Sequence, residues 1–231
     1  MPVKTLKIIV YSFLLLSIGS CKDSNGKSFF KPNRVEPPSI QDRMKSSHNE
    51  NVGRYTWQKP ELIINKLGDI KGKIIADIGA GTGYFVIRLA TKEANVLAVD
   101  IDPVMINYIE SVKELLPVET QARITTRLAK EDDPMLKQGE VDIALIINTV
   151  SYIDKLENYL TTLKMGIKPG GLIMILDYKN KIIDIPAPPL DDRVSIGKLQ
   201  TYLGNVGYKN IIVDDTSLEY QYIITANVEE L

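Results

Sequence analysis

A chain of 231 residues is long enough for one domain with additional segments. Its hydrophobic fraction of 44% and charged fraction of 25% are those of a globular protein, and its formal net charge of −1 gives no reason to expect nucleic acid or an acidic membrane surface as a partner. With one cysteine, Cys21, and one histidine, His48, the composition excludes an intrachain disulfide framework and a cysteine-rich metal site, and we predict no bound metal.

Residues 1–20 have the features of an export signal. Two lysines near the start precede an apolar run over residues 8–18, which is short for a membrane-spanning helix. Small residues then precede Cys21, an arrangement that resembles the lipobox of bacterial lipoproteins, whose cysteine is diacylated and becomes the new N-terminus. We predict a lipoprotein lipidated at Cys21 and anchored in the cell envelope, facing the periplasm. The alternatives are a plain signal or weak anchor with an incidental cysteine, and a cytoplasmic protein if the signal is not used.

Residues 22–53 are polar, contain three prolines and show no apolar periodicity. These features predict a flexible tether that leads to a folded domain at residues 54–231. His48 falls in this tether, where we interpret it as an ordinary polar residue.

The domain alternates short apolar runs with helical stretches, which is typical of β-α-β units. Asp154 with a glutamate three residues later resembles a capping box and predicts where one of the helices begins. The last two strands are joined by a short turn around Ser217, so we expect a hairpin in which one strand runs antiparallel to the rest. We predict strands at residues 73–78, 95–100, 122–129, 141–148, 171–178, 210–215 and 220–227. We predict helices at residues 82–92, 103–116, 154–166 and 196–203.

The stretch "IADIGAGTGYF" places glycines in the first turn between a strand and a helix, where ligands bind in open α/β folds. A dinucleotide loop of the form G-x-G-x-x-G needs its third glycine at position 84, which is Tyr84 here. The carboxylate of Asp77 precedes the loop, and it would repel a phosphate but be stabilised beside an ammonium. Asp100 follows Gly79 by 21 residues, a spacing suited to ribose hydroxyls. An ammonium near the loop and a ribose beyond it describe S-adenosylmethionine.

Five stretches in order, "DIGAGTGYF", "LAVDID", "KEDDP", "VDIALIINTVSYI" and "KPGGLIMILDYK", resemble the motifs of class I S-adenosylmethionine-dependent methyltransferases. The resemblance runs from about residue 54 to the C-terminus. It implies methyltransferase activity and an α/β fold, a three-layer α-β-α sandwich around a seven-stranded, mostly parallel sheet. The implied strand order is 3-2-1-4-5-7-6 with strand 7 antiparallel, which agrees with the hairpin predicted above.

The same resemblance assigns the cofactor site. The glycine-loop backbone with Asp77 would hold the methionine part, Asp100 the ribose, and Ile101 the adenine, while Asp132 either binds the adenine amino group or is a solvated cap before a proline. The cofactor-binding residues so implied are Asp77, Gly79, Ala80, Gly81, Gly83, Asp100, Ile101, Asp132 and Asn148. Trp57 and Gln58 resemble a segment that covers the cofactor in some relatives; alternatively, Trp57 packs the first helix onto the sheet.

Methyl transfer from a sulfonium chiefly requires an in-line nucleophile, and a base is needed only if the nucleophile must lose a proton. Some relatives carry an aromatic residue and two histidines after strand four, but no histidine is present in this domain. Tyr152 and Asp177 are therefore the candidate catalytic bases. The expected substrate-side residues are Ser151, Tyr178 and Arg193.

Three functions compete at this point. The leading one is a membrane-tethered methyltransferase that acts on a small-molecule or lipid-like acceptor. The second is a lipoprotein that binds S-adenosylmethionine or a related nucleoside without turnover, which the missing histidines and the export signal favour. The third, a nicotinamide-dependent oxidoreductase, is disfavoured by Tyr84 and Asp77.

Overall fold

The computed structural model describes residue 51 and residues 53–230. The predicted signal, the lipidation at Cys21 and nearly all of the predicted tether, including His48, lie outside these residues and stay predictions. Within the described range, no helix is long and apolar enough to span a membrane. The same part of the chain contains no cluster of histidine, cysteine or acidic side chains that could hold a metal ion.

Seven strands form one sheet in the order β3-β2-β1-β4-β5-β7-β6. Neighbouring strands are parallel from β3 to β5, whereas β7 is antiparallel to both β5 and β6. The predicted strand order and the antiparallel terminal hairpin are therefore confirmed. The strands are β1 Ile74–Ile78, β2 Asn95–Asp100, β3 Ile124–Leu128, β4 Val141–Ile147, β5 Ile167–Tyr178, β6 Lys209–Asp214 and β7 Gln221–Asn227.

Helices cover both faces of this sheet and complete the three-layer architecture. The α-helices are α1 Arg54–Gln58, α2 Pro60–Lys66, α3 Tyr84–Thr91, α4 Pro103–Lys113, α5 Val118–Gln121, α6 Leu156–Gly166 and α7 Ile196–Val206. Two single-turn 3₁₀ helices, Val150–Tyr152 and Leu190–Asp192, lie in connections beyond the carboxyl ends of β4 and β5.

The central strands are mostly apolar because each face packs against its own core. On one face, Ile75 of β1 shares a cluster with Phe85 and Leu89 of α3. On the other face, Ala76 of β1 shares a second cluster with Leu160 of α6. A parallel sheet with both faces covered needs this kind of continuous apolar run, which is why these strands are visible in the sequence.

Several element boundaries differ from the prediction, and two of the differences have a visible structural basis. Helix α6 begins at Leu156 and not at Asp154, because Lys155 adopts a left-handed φ of 49° and no side chain caps the helix. Strand β5 begins at Ile167, four residues before the predicted start, and its pairing with β4 shifts register between Val141 and Ile143. Ile167 is buried at the end of α6, so packing favours an early start of the strand. The glycines that follow Ile167 make this start difficult to recognise in the sequence.

Candidate functional site

The loop between β1 and α3 turns at the carboxyl edge of the sheet. Gly79, Gly81 and Gly83 have φ values of 72°, 54° and 75°, in the left-handed region that glycine adopts without steric cost. The backbone N–H groups of Gly79 and Ala80 both donate to the Val99 carbonyl, at 2.8 and 3.0 Å. The alternating glycines therefore fold the loop back onto the end of β2.

The first two glycines serve different purposes. A Cβ atom at Gly79 would lie 2.6 Å from Cγ2 of Thr149, so this position has room only for glycine. A Cβ atom at Gly81 would meet nothing within 4 Å, so Gly81 is required for its backbone conformation and leaves the loop backbone open to the space above it.

Two adjoining cavities open above this edge of the sheet. The larger has a volume of about 460 Å³ and walls formed by the ends of β1, β2 and β4 together with apolar side chains. The smaller has a volume of about 130 Å³ and lies between the glycine loop and the side of the site formed by Asn51 and Arg54. Both cavities are lined by Gly79, Asn148 and Thr149, so they meet at the end of β4.

Asp77 lies in the smaller cavity, near the end of β1, and is only 3% exposed. Burial raises the pKa of Asp77 to about 7, and the Asp100 carboxylate contributes in the same direction, while the Arg54 guanidinium opposes them. A cationic group beside Asp77 would favour its ionised form, as the sequence pattern predicts for an ammonium.

Asp100 ends β2 and lines the larger cavity. One of its carboxylate oxygens accepts a hydrogen bond from the Gly81 N–H at 2.8 Å, and the other accepts from the Asp102 N–H at 2.9 Å. Burial raises the pKa of Asp100, and these N–H groups counteract that effect. The carboxylate thus connects the glycine loop to the cavity, and the adjacent exposed Ile101 contributes apolar surface to the same wall.

Asp132 lies outside the walls of both cavities. The backbones of Lys130 and Asp133 are hydrogen bonded to each other across a tight turn, which leaves Asp132 exposed within the turn. Lys130 and Glu131 line the larger cavity instead. Asp132, which was predicted to bind the adenine amino group, therefore lies one to two positions beyond the residues that form the wall of the larger cavity.

Asn148 belongs to a cluster of three hydrogen-bonded side-chain amides. Its Oδ1 accepts from Nε2 of Gln221 and, at 3.4 Å, from Nε2 of Gln58, and the two glutamines are hydrogen bonded to each other at 2.9 Å. Gln58 ends α1 and Gln221 begins β7, and both side chains are fully or almost fully buried. Asn148 itself has a left-handed φ of 58°. The cluster fixes the orientation of the amide that both cavities share.

Helix α1 covers the smaller cavity through polar contacts. The Arg54 Nε donates to Oε1 of Gln58 at 2.8 Å, and its Nη1 donates to Oδ1 of Asn51 at 2.8 Å. Asn51 in turn donates to Oγ1 of Thr82 in the glycine loop at 2.8 Å. Trp57, by contrast, lines neither cavity and lies 6.4 Å from the Tyr178 ring, between centroids, so it packs against the end of β5.

The two candidate bases occupy different surroundings. Tyr152 is 72% exposed and lines the larger cavity. Asp177 is 1% exposed and lines neither cavity. Its carboxylate accepts from the N–H groups of Val150 and Tyr178 at 3.2 and 2.7 Å and from the Ser151 hydroxyl at 3.4 Å. Burial raises the pKa of Asp177 to about 6, but its contacts show that it anchors the segment after β4, with Ser151 as one of its partners.

Arg193, predicted to contact substrate, binds backbone carbonyls. Its Nε donates to the Pro188 carbonyl at 2.8 Å, and its Nη1 donates to those of Lys179 and Lys181 at 2.9 and 2.7 Å. Arg193 and the buried Tyr178 both lie outside the two cavity walls. The arginine therefore braces the proline-rich connection after β5.

Residues that sequence reasoning missed at this site include Arg54, Thr149 and Gln221. A charged residue at the start of the first helix and a glutamine in a terminal strand carry no motif signal. Only the spatial meeting of α1, the end of β4 and the start of β7 makes them part of the site.

Comparison with known proteins supports the fold and the class of domain. Residues 76–173 match the family model of a methyltransferase domain. A solved structure of an S-adenosylmethionine-dependent methyltransferase from Aquifex aeolicus superposes with a TM-score of 0.72, covering 81% of this chain and 98% of that one at 22% identity. The predicted fold is confirmed, and the family match agrees with the predicted methyltransferase activity.

Two curated relatives act on different acceptors. The chain is 32% identical over 84 residues to a magnesium-protoporphyrin O-methyltransferase of Rhodobacter capsulatus, which is 36% of this chain and 35% of the relative. It is 24% identical over 185 residues to a tRNA U34 carboxymethyltransferase of Actinobacillus succinogenes, which is 72% of this chain and 54% of the relative. The chain thus spans about a third to a half of the length of these two relatives.

Proposed function

We propose that this chain is a class I methyltransferase that uses S-adenosylmethionine as its methyl donor. The protein transfers a methyl group to a small-molecule or lipid-like acceptor while it is tethered to a membrane. The observation that carries the proposal is the glycine loop at residues 79–83, which opens between the carboxylates of Asp77 and Asp100 onto two joined cavities.

The residues present fit this donor. The loop backbone at Gly81 is open to a ligand, and the larger cavity, with apolar walls and Asp100, suits an adenosine. The smaller cavity, with Asp77 and Arg54, suits the charged amino acid end. Tyr84 occupies the place of the third glycine of a dinucleotide loop and puts a side chain in the smaller cavity, which disfavours a pyrophosphate.

When bound, S-adenosylmethionine supplies a methyl group already activated by the positive charge of its sulfonium. The protein's part is to hold donor and acceptor in line and to exclude water. Asp77 would hold the ammonium of the donor, and Asp100 would hold its ribose hydroxyls. The Oδ1 of Asn148 is held by two glutamine amides, so its Nδ2 amide group would be the one left to contact a ligand where the cavities meet.

The acceptor would approach where the larger cavity is bordered by Thr149 and Tyr152. Tyr152 is the residue that we propose contacts the acceptor and takes its proton if one must be lost. Asp177 does not take this proton, because its carboxylate is hydrogen bonded to residues 150 and 151. Its contribution is to hold these two residues in place.

The charge of the domain favours a small or lipid-like acceptor over RNA. Residues 53–231 contain 20 lysines and arginines against 25 aspartates and glutamates, a formal net charge of −5. Proteins that bind nucleic acid use a basic surface to neutralise phosphates. The balance therefore favours an acceptor of the small-molecule kind named for the porphyrin methyltransferase over the tRNA named for the other relative.

Tethering rests on the sequence of residues 1–21 alone. The apolar run and the single cysteine of the chain, at the position that a lipobox requires, are the observations that support it. Intact mass of the membrane-extracted protein tests it: cleavage before Cys21 with added acyl mass supports the lipoprotein, and an uncleaved chain refutes it.

The function is tested with the purified full-length chain in two steps. Calorimetric titration with S-adenosylmethionine, S-adenosylhomocysteine and NAD should show binding of the first two only. Incubation with methyl-labelled donor and separate lipid, small-metabolite and RNA fractions should then label the lipid or small-metabolite fraction. Binding of NAD alone would refute the proposal. Donor binding without label in any fraction would favour the non-catalytic binding protein, and label in the RNA fraction would refute the acceptor class.

A further inference from the structure

Three exposed apolar side chains lie on segments that meet around the end of β5. Tyr55 of α1 is 67% exposed, Tyr152 of the 3₁₀ helix after β4 is 72% exposed, and Ile182 of the connection after β5 is 86% exposed. A single exposed apolar side chain is normal on a protein surface. Three of them around one strand end indicate a surface that contacts something apolar.

Contacts with the last two residues of β5 hold these segments in place. The Trp57 ring of α1 packs against the Tyr178 ring. The Asp177 carboxylate accepts hydrogen bonds from residues 150 and 151. The guanidinium carbon of Arg193 lies 5.9 Å from the centroid of the Tyr178 ring, and the same guanidinium closes the connection after β5 through three backbone carbonyls. The three segments are therefore fixed against one strand end.

The surface formed by these segments differs in charge from the rest of the domain. We define the β5 rim as residues 54–59, 150–155 and 179–193, which contain six lysines and arginines and four aspartates, a formal net charge of +2. The other residues of the range 53–231 contain 14 lysines and arginines against 21 aspartates and glutamates, a net charge of −7. A bilayer surface that bears phosphate headgroups therefore attracts the β5 rim and repels the rest of the domain.

The chain enters the domain at the same edge of the sheet. Asn51 donates to Oγ1 of Thr82 in the glycine loop at 2.8 Å, and α1 follows directly. The predicted tether over residues 22–53 would span about 30 Å as a coil, whereas a compact domain of this length is about 40 Å across. An anchor at Cys21 therefore favours contact of this edge with the bilayer. A weak contact is sufficient, because the tether raises the effective concentration of the β5 rim at the bilayer.

We propose that the β5 rim is a membrane-contact surface that places Tyr55 and Ile182 in the headgroup region of a phospholipid bilayer. The inference rests on the proposed function and names its acceptor class. Tyr152 belongs to the β5 rim and also lines the larger cavity. A lipid can therefore pass from the bilayer to the cavity along the β5 rim without crossing water, which makes a membrane lipid the acceptor.

The contact is tested first on the unmodified, membrane-extracted protein, either in detergent or reconstituted in vesicles of phosphatidylethanolamine and phosphatidylglycerol. Lys181 lies in the β5 rim, and Lys137 lies before the start of β4, at the opposite edge of the sheet; both are exposed. Trypsin should cleave after Lys181 about fivefold more slowly on vesicles than in detergent, because the bilayer covers the site. Cleavage after Lys137 should have the same rate in both.

The depth of the contact is measured by fluorescence quenching with brominated lipids in the same vesicles. Ile182→Trp is made in a Trp57→Phe background, which leaves one tryptophan in the chain. Leu115→Trp in that background is the matched control, because Leu115 is 84% exposed and follows α4 at the opposite edge of the sheet. Lipids brominated near the headgroups should quench about half of the emission in Ile182→Trp, the depth expected of a side chain at the headgroup boundary. They should quench none in Leu115→Trp.

The acceptor class is tested with methyl-labelled donor and the reconstituted protein. Ile182→Asp should lower labelling of the lipid fraction about fivefold, because a charged side chain opposes insertion, and should leave S-adenosylhomocysteine affinity unchanged. Leu115→Asp is the control and should change neither.

Three results would overturn the membrane contact. They are equal quenching of the two tryptophan variants, quenching of neither, and equal rates of cleavage after Lys181 in vesicles and detergent. Label in the small-metabolite fraction alone would overturn the lipid acceptor. The proposed function is measured separately, by S-adenosylhomocysteine binding to the same protein. Quenching confined to Ile182→Trp without such binding would support the contact and reject the proposed function.

Discussion

The donor side and the acceptor side of this site are built in different ways. On the donor side, the loop at residues 79–83 follows directly from three glycines with left-handed φ, one of which leaves no room for a Cβ atom beside Thr149. On the acceptor side, the segment after β4 is oriented by Gln58 and Gln221, which are 163 positions apart in the chain. The difference teaches that the donor half can be inferred from a local motif, whereas the acceptor half depends on contacts between distant segments.

Because the donor side depends on a tight local loop, adding a single methyl group to that loop should have the largest effect on donor binding. Gly79→Ala should weaken S-adenosylhomocysteine binding more than about 100-fold, because a side chain at this left-handed position is strained and collides with Thr149. Calorimetric titration measures the effect. Gly139→Ala is the matched control, since Gly139 has a φ of 58° but no atom within 4 Å of a Cβ atom. If Gly79→Ala bound within threefold of wild type, the loop would not be the donor site.

A second change on the donor side tests charge. Because burial raises the pKa of Asp77 to about 7, the free protein holds this carboxyl largely protonated at pH 6 and largely ionised at pH 8. An ammonium binds the ionised form, so S-adenosylhomocysteine affinity should rise about tenfold from pH 6 to pH 8 and level off above that range. Asp77→Asn should bind more weakly at pH 8 and lose the dependence. Titrations at pH 6, 7 and 8 measure both, and parallel profiles for the two proteins would contradict the assignment.

On the acceptor side the expected effects are on stability. Gln221→Leu should lower the free energy of unfolding by about 2 kcal/mol, because it removes one hydrogen bond from the buried amide of Gln58 and another from the Asn148 oxygen. Gln200→Leu, on an exposed position of α7, should change it by less than about 0.5 kcal/mol. Urea unfolding followed by circular dichroism compares the two. Equal effects would show that the amide cluster has no special role in holding this side together.

The smallest expected effect concerns the connection after β5. Arg193→Met removes three hydrogen bonds to backbone carbonyls and should cost about 1 kcal/mol. It should also speed proteolytic cleavage within residues 179–193, whereas Lys181→Met, at an exposed position, should not. Limited proteolysis with mass mapping measures this. Unchanged cleavage in Arg193→Met would mean that the connection is held by other contacts.

Much of the fold could be predicted because its signals are local. The continuous apolar runs of β1 and β4 reflect a sheet covered on both faces, and the short connection at Ser217 limits β6 and β7 to a hairpin. The start of α6 was predicted wrongly from Asp154, because the chain turns into the left-handed region at Lys155 and no side chain caps the helix.

The side chains of the site divide in the same way into those that local signals predicted and those that they did not. Asp77 and Asp100 lie where their spacing from the glycine loop indicated. Asp132, Asp177 and Arg193 have suitable chemistry and follow or end strands of the sheet, yet each lies outside the cavity walls. A tight turn holds Asp132, buried hydrogen bonds hold Asp177, and backbone carbonyls hold Arg193. The residue type does not specify the orientation of a side chain, because that orientation depends on its hydrogen-bond partners in the folded protein.

The strand order was implied by the resemblance to class I methyltransferases, whereas the sequence by itself determined the hairpin at the C-terminus, the glycine loop and the two carboxylates beside it. These depend on backbone φ, on apolar periodicity and on short spacings, all of which act between residues near one another in the chain. Only the tertiary structure decided that Arg54, Tyr84 and Gln221 join the site and that Asp177 supports it from below. The physical reason is that hydrogen bonds and charges between distant residues depend on packing geometry, which a single sequence does not display.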